Sequence, residues 1–429
     1  MPRVYLLAFL LFSALFLCGA ERASAAAEPY GKYFVLADAD WPRERYVASA
    51  QAPGTGNTDN LEEALVALRG RAAEQESAGG PYAPALAETL GDLARLLEQS
   101  GKDVEAMALR ERALHLLRIN QGLYAPEQGP LLQAMLSSLR RNGDFESLDL
   151  RYAYFFRLHG SGRPPWTPVR WEATMEYLRW QREALRRGLG GDQSRRILDV
   201  LSLHEDLLES TSTDAGQEAW SRRRDVSLSL LALFYLIEDL VQPLVVTPPQ
   251  FGQSRRQDQR GFDVLEARLD TIRSSLLRRG KSLLNSLLEV MPDAETVARA
   301  EVNLALADWQ QWYGSAREAR ALYEEIWRTL HTEGMQELAQ NWFSQPVPLP
   351  DNGAFFHPDR PPRATVPGLV KVTQFGRARA QETMVAVSLR RPATRLRRYL
   401  NATQFRPAIE DGRAVDAAPA VQQYIVYER

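Results

Sequence analysis

Residues 79–120 read GGPYAPALAETLGDLARLLEQSGKDVEAMALRERALHLLRIN, and residues 121–160 continue QGLYAPEQGPLLQAMLSSLRRNGDFESLDLRYAYFFRLHG. The second stretch repeats the first. Tyr82-Ala83-Pro84 returns as Tyr124-Ala125-Pro126, 42 residues later, and at the same offset Gly80 meets Gly122, Leu90 meets Leu132, Leu97 meets Leu139 and Gly101 meets Gly143. A period of this length predicts stacked helical hairpins. Leu86, Leu90, Leu93 and Leu97 follow i, i+4, i+7, i+11 and make one apolar stripe on a first helix. Gly101 ends it, where glycine takes a positive φ at least cost. Ala106, Leu109, Ala113 and Leu116 form the stripe of a second helix, with the small Ala106 where two helices cross closely. Burying one leucine contributes roughly 1.5–3 kcal/mol. A lone hairpin cannot offset its ordering entropy that way, so each must stack on its neighbours.

These residues resemble tetratricopeptide repeats of the longer, kinesin-light-chain-like kind, with a YAP entry and a 42-residue period. The resemblance covers 79–160, and Leu61 to Glu76 fits a partial preceding unit. A further match lies in ARAEVNLALADWQQWYGSAREARALYEEIWRTL, where Leu306, Ala307, Gly314, Ala319, Tyr323 and Ile326 occupy packing positions of that repeat. Ser138 and Leu148 depart from the small or apolar residues expected in the second copy. Between the matches the pattern stays helical but degenerate, over 172–187, 194–208, 217–240 and 262–291. VSLSLLALFYLIEDLV reads as a core helix; Glu238 and Asp239 interrupt it, and its apolar run is too short for a membrane span.

The chain of 429 residues opens with a basic Arg3, an apolar run from Val4 to Ala20, and Ala23-Ser24-Ala25, the small-x-small pattern of a signal peptidase site. A cleaved signal peptide is expected; the alternative is an uncleaved N-terminal anchor. Cys18 is the one cysteine and falls within the signal, so a mature chain would hold no disulfide, thiolate nucleophile or cysteine-based zinc site. Export without disulfides points to the periplasm of a bacterial envelope. A net charge of −2 gives no basic footprint for nucleic acid.

From 340 onward the helical pattern breaks. Pro346, Pro348, Pro350, Pro358, Pro361, Pro362 and Pro367 read as an extended, semi-rigid connector. Beyond it, Leu369 to Phe375 alternates as a strand, Gly376 suits a turn, Arg377 to Leu389 can run on as a second strand, and Thr394 to Leu400 forms a short amphipathic helix. Phe405 to Ile409 is a short β segment, Glu410-Asp411-Gly412-Arg413 a turn, and Val421, Gln423, Ile425 and Tyr427 alternate along a last strand.

This order, with TQFRPAIEDGRAV after the helix and a closing QYIVYE strand, resembles the C-terminal domain of TonB-type energy transducers. The resemblance implies a small sheet with an exposed edge to which a partner segment adds as a strand, held by backbone hydrogen bonds. Carried over here, the candidate partner-binding residues are Gln422, Gln423, Tyr424, Ile425, Val426 and Tyr427. Phe405 and Pro407 match positions that pack or turn. The transducers keep an N-terminal membrane anchor and a long proline-rich spacer; here a helical domain and a short proline linker stand in those places.

Candidate chemistry is sparse. His115, His159, His204, His331 and His357 are scattered, with no i, i+4 pair to bind a metal. Gly54-Thr55-Gly56 does not sit between a strand and a helix, as a phosphate loop requires. Glu62/Glu63 and Glu324/Glu325 are adjacent on helices and so do not face each other. Arg390, Arg391, Arg395, Arg397, Arg398 and Arg406 make the C-terminal unit locally basic; a solvated helix face accounts for them better than an anionic partner. Trp166, Trp171, Trp180, Trp309 and Trp312 read as packing residues.

The expectation is therefore a mainly α protein: signal peptide 1–25, extension 26–59, a repeat-like helical domain 60–339, linker 340–367, and a small α+β domain 368–429. The expected function is non-enzymatic binding of an envelope protein or peptide, with no catalytic residue, metal or cofactor. The alternatives are a TonB-type transducer anchored in the inner membrane, and an envelope enzyme without a recognised motif.

Overall fold

The computed structural model describes residues 34–36, 58–212, 216–241, 264–291, 296–352, 354, 362–381 and 385–427. The segment expected to be a signal peptide, with Cys18, the Gly54–Gly56 stretch and His357 lie outside the described residues. The protein is mainly helical with a small sheet region toward the C-terminus. In chain order the elements are β1 (Phe34–Leu36), α1 (Thr58–Gly79), α2 (Leu86–Gln99), α3 (Asp103–Gln121), α4 (Gly129–Asn142), α5 (Phe145–Leu158), α6 (Pro168–Arg187), α7 (Gln193–Ser212) and α8 (Gln217–Leu240). There follow α9 (Val264–Ser274), α10 (Leu276–Glu289), α11 (Thr296–Trp312), α12 (Ala316–Thr332), α13 (Gln336–Phe343), β2 (Val347–Pro348), β3 (Pro362–Val372) and β4 (Ala378–Gln381). The chain ends with α14 (Arg390–Ala402), β5 (Phe405–Arg406), β6 (Ala408–Glu410), β7 (Arg413–Val415) and β8 (Ala420–Tyr427). Two compact units result, one within 42–230 and 252–269, the other within 1–41, 231–251 and 270–429.

In the first unit each of α1 to α6 packs on the next, so that α1 to α7 follow in order. The 42-residue duplication is present down to single hydrogen bonds. Gly101 and Gly143 take φ of 73° and 71°. Gly101 N donates to Glu98 O and Lys102 N to Leu97 O; 42 residues on, Gly143 N donates to Arg140 O and Asp144 N to Leu139 O. That pair of bonds is the Schellman end of a helix, which a glycine in the left-handed region permits. Leu90 and Leu132 are both buried, as are Leu97 and Leu139, Ala83 and Ala125, and Ala106 and Leu148. Ser138 is also fully buried, and its hydroxyl has no hydrogen-bond partner among the described residues. Glu98 accepts from Arg110 within its own hairpin, and arginine–glutamate pairs also run between successive hairpins: Arg141 to Glu98, Arg151 to Glu111 and Arg140 to Glu183.

In the second unit α10 packs on α11, α11 on α12 and α12 on α13. Leu306, Ala307, Ala319, Tyr323 and Ile326 are all buried and Gly314 has a φ of 84°. Gly314 N donates to Gln311 O and Ser315 N to Gln310 O, the same helix ending again. The helical stretch expected over 262–291 divides at Ser275 into α9 and α10. Gly280 sits inside α10 because a Cβ there would run into the Trp309 ring; Trp309 Nε1 donates to Leu277 O at 3.1 Å across this close approach.

The sheet order is β1-β8-β3-β4, every pair antiparallel. α14 covers one face: Leu396 and Leu400 bury against Val366, Val370, Val372, Tyr424 and Val426. The sequence of strand, strand, helix, strand is thus β3, β4, α14, β8. β3 begins at Pro362, seven residues before the strand expected at Leu369, so Pro362 and Pro367 are strand residues. Pro367 pairs with Gln423 of β8, and Leu369 to Val372 pair with β4. Of the second strand expected over 377–389, Ala378–Gln381 forms; Val387–Leu389 is a 3-10 turn leading into α14. Asp411 and Gly412, with φ of 48° and 76°, turn the β6–β7 hairpin as expected.

Candidate interaction surfaces and the buried joint

β3 pairs with β8 along its whole length, from Pro362 opposite Tyr427 to Val370 opposite Ala420. The other side of β8 was the expected open edge. There Phe34, Val35 and Leu36 pair with Val426, Ile425 and Tyr424. Three of the six candidate residues, Tyr424, Ile425 and Val426, therefore have strand neighbours on both sides, both from this chain. Gln422 and Gln423 have a strand neighbour on the β3 side alone among the described residues. Tyr424 and Val426 are buried under α14, Gln423 is exposed, and Gln422 and Ile425 are half-buried. The signal for β1 was present in the run Tyr33-Phe34-Val35-Leu36, aromatic and β-branched and followed by Asp38 and Asp40. Three residues with a partner near the opposite end of the chain are too short a run to read as a strand from periodicity.

A buried ionic cluster in the second unit joins α11 to β5, which pairs with β2 in a separate two-stranded sheet. Arg406 on β5 donates Nε to Asp308 Oδ1 at 3.0 Å and Nη2 to Asp308 Oδ2 at 2.6 Å, a bidentate pair. Nη2 also reaches Asp351 Oδ2 at 3.1 Å and Nη1 the Trp342 carbonyl at 3.4 Å. The Tyr323 hydroxyl donates to Asp308 Oδ1 at 2.8 Å. Burial opposes the charge on Arg406, but the carboxylates of Asp308 and Asp351 outweigh it and hold its pKa above the usual arginine range. Arg406, grouped by sequence with the basic surface, is thus a buried joint. Around it Gln311 Nε2 donates to Phe375 O, Ala414 N donates to Glu324 Oε1, and Gly412 lies against the Trp327 ring. Glu324 is thereby engaged with β7, while Glu325, Glu62 and Glu63 are exposed.

The first unit presents a different surface. Tyr82 and Tyr124 are each 57% exposed, and Ile119 and Leu123 are exposed nearby in the chain. Their backbones are held: Asn120 Nδ2 donates to Tyr82 O at 3.1 Å, and the Tyr154 hydroxyl donates to Leu123 O at 2.6 Å.

The remaining sequence candidates serve packing. His204 is fully buried; Nδ1 donates to Val200 O at 2.7 Å, and Nε2 accepts from the Ser229 hydroxyl at 2.9 Å, whose oxygen accepts from Arg182. Desolvation pushes its pKa down to about 3. His159 packs on Phe155, and burial, with Arg170 nearby, lowers its pKa. His331 stacks on Trp327, and His115 lies near Tyr82. Trp180 stacks on Tyr152, Trp166 meets Trp171 edge-on, and Trp309 and Trp312 both meet Tyr235. Arg390, Arg391 and Arg398 are exposed on α14, opposite its buried Leu396 and Leu400. An open groove of about 990 Å³ runs along α9 and α10; its Ser274, Ser275 and Ser286 hydroxyls donate to carbonyls of their own helices. No cluster of three or more metal-ligating side chains occurs among the described residues, and no described helix is long and apolar enough to cross a membrane. No protein-family model matches the chain, and no curated protein matches it.

Proposed function

We propose that this is a non-enzymatic periplasmic interaction protein, in which tetratricopeptide-like hairpins present one contact surface and a TonB-C-like terminal sheet takes an extended segment as an added strand. The observation that carries the reading is the matched duplication. Two hairpins 42 residues apart bury equivalent leucines and expose equivalent tyrosines, Tyr82 and Tyr124, to the same extent. Repetition of a buried stripe is explained by stacking; repetition of an exposed aromatic is explained by contact with another molecule. The strand order of the terminal sheet, with α14 on one face, supports the second part. The apolar segment before Ala25 supports export.

The test is site-specific photocrosslinking in the native envelope from positions 82, 124 and 421, with the exposed Arg95 as control. A discrete adduct to the same protein from both 82 and 124, absent at 95, is expected. Absence of adducts from all three probed positions refutes the reading. Mass spectrometry of the mature N-terminus separates the two exported forms: a start after Ala25 fits the soluble scaffold, and an intact 1–25 segment fits the anchored transducer.

A further inference from the structure

Charge is segregated along this chain. Residues 362–429 carry 12 arginine and lysine side chains against five aspartates and glutamates, whereas residues 1–361 carry 40 against 49. α14 concentrates the excess. Its 13 residues include Arg390, Arg391, Arg395, Arg397 and Arg398 and no acid. Pro392, Leu396 and Leu400 are buried on one side, and the two leucines pack on the sheet, so the opposite side is held outward. There Arg390, Arg391 and Arg398 are exposed and form no ion pair among the described residues; Thr394 and Asn401, exposed on the same side, are uncharged. A helix face that is only solvated alternates its signs. α12, in the same unit, does so with the exposed Arg317, Glu318, Glu325 and Arg328. On α14 the exposed charges are all of one sign, and like charges on one helix face repel.

We infer that the outward face of α14 docks on a lipid bilayer with anionic headgroups. A convex helix offers no cleft to enclose a small anion, but it can lay several cations on a charged surface at once. Val387, in the turn that leads into α14, is 75% exposed and adds an apolar side chain close in the chain to Arg390 and Arg391. Exposed apolar and basic groups together are the composition of a membrane-surface contact. The length of the chain favours a membrane over an acidic protein. The apolar run Val4–Ala20, expected to enter a bilayer as a signal or as an anchor, ends 14 residues before Phe34. Fourteen residues span at most about 50 Å. Because β1 pairs with β8 in the sheet that α14 covers, that run holds the sheet near the bilayer whenever it is inserted. The inference uses the outer face of a helix and does not depend on strand addition to the sheet.

The experiment is co-sedimentation of the mature chain, residues 26–429, with vesicles at low salt. One set contains phosphatidylglycerol and phosphatidylcholine, the other phosphatidylcholine alone. Binding to the anionic vesicles only is expected, with release at high salt. Each arginine near an anionic surface contributes roughly fivefold, so Arg390→Gln/Arg391→Gln/Arg398→Gln should weaken binding at least about twentyfold. The corresponding triple lysine variant keeps the charge and should bind as the unaltered chain does. Equal binding to both vesicles, or a glutamine variant that binds undiminished, overturns the inference. Binding to neither vesicle, with circular dichroism unchanged, also overturns it; a photocrosslink from position 391 to an envelope protein would then give this face to an acidic protein. If the glutamine variant fails to fold, Arg391→Glu alone takes its place with the same outcomes.

Discussion

Replacing Arg406 by methionine tests how β5 is attached to α11. The side chain of Arg406 is 3% exposed and those of Asp308 and Asp351 are each 10% exposed. Arg406→Met keeps the aliphatic stem and removes the cation that Asp308 and Asp351 share. Breaking such a cluster from one side costs about 3–5 kcal/mol, because the remaining charge stays desolvated with its compensating charge gone. The intact cluster is worth far less than that, since its Coulomb gain is largely cancelled by desolvation. The triple variant Arg406→Met/Asp308→Asn/Asp351→Asn should therefore recover more than half of the loss. With two compact units, a single unfolding free energy is not defined. The assay is hydrogen exchange by mass spectrometry across a urea series, read on peptides from 296–312 and 405–427. A loss below about 1 kcal/mol in those peptides, or a triple variant no more stable than the single one, would refute the argument that an uncompensated buried charge sets the cost.

Other perturbations test separate parts of the structure. Gly280→Ala should destabilise the second unit by about 1–3 kcal/mol, although alanine is the better helix former, because its methyl group meets Trp309; a gain in melting temperature would show that the close approach is absent. Leu93→Ala removes a buried residue of the repeat stripe and should cost roughly 2–5 kcal/mol in the first unit. An unmoved transition there would mean that the stripe is not core. His204 is held neutral in the folded state, with a pKa far below that of the unfolded chain, so the unfolded chain takes up a proton first as pH falls. Its stabilisation is present above about pH 6.5 and is lost toward pH 3 at up to about 1.4 kcal/mol per pH unit. Urea midpoints of the first unit should fall less steeply between pH 7 and pH 5 in His204→Gln than in the unaltered chain; parallel slopes would remove His204 as the cause.

What could be read from the sequence was local. The stripe of Leu86, Leu90, Leu93 and Leu97, the glycines at 101, 143 and 314, and the Asp411-Gly412 turn each announce themselves within a few residues, because helix periodicity and positive φ are properties of short segments. What escaped is set by distance along the chain. Asp308 and Arg406 are 98 residues apart, and neither looks unusual alone; an aspartate near the end of a helix and an arginine in a basic stretch both read as solvated. β1 meets β8 across nearly the whole sequence. The prolines of 346–367 illustrate a rule applied too broadly. Read as a connector, they nevertheless include Pro348 of β2, paired with Phe405, and Pro362 and Pro367 of β3. Proline is excluded from a strand only where its missing N–H would have been needed, and whether it is needed depends on which strands lie alongside. The pairing of β1 with β8 and the ionic joint between β5 and α11 are both of this non-local kind. An edge can be recognised from the sequence of its own strand; whether that edge is open is decided by residues elsewhere in the chain.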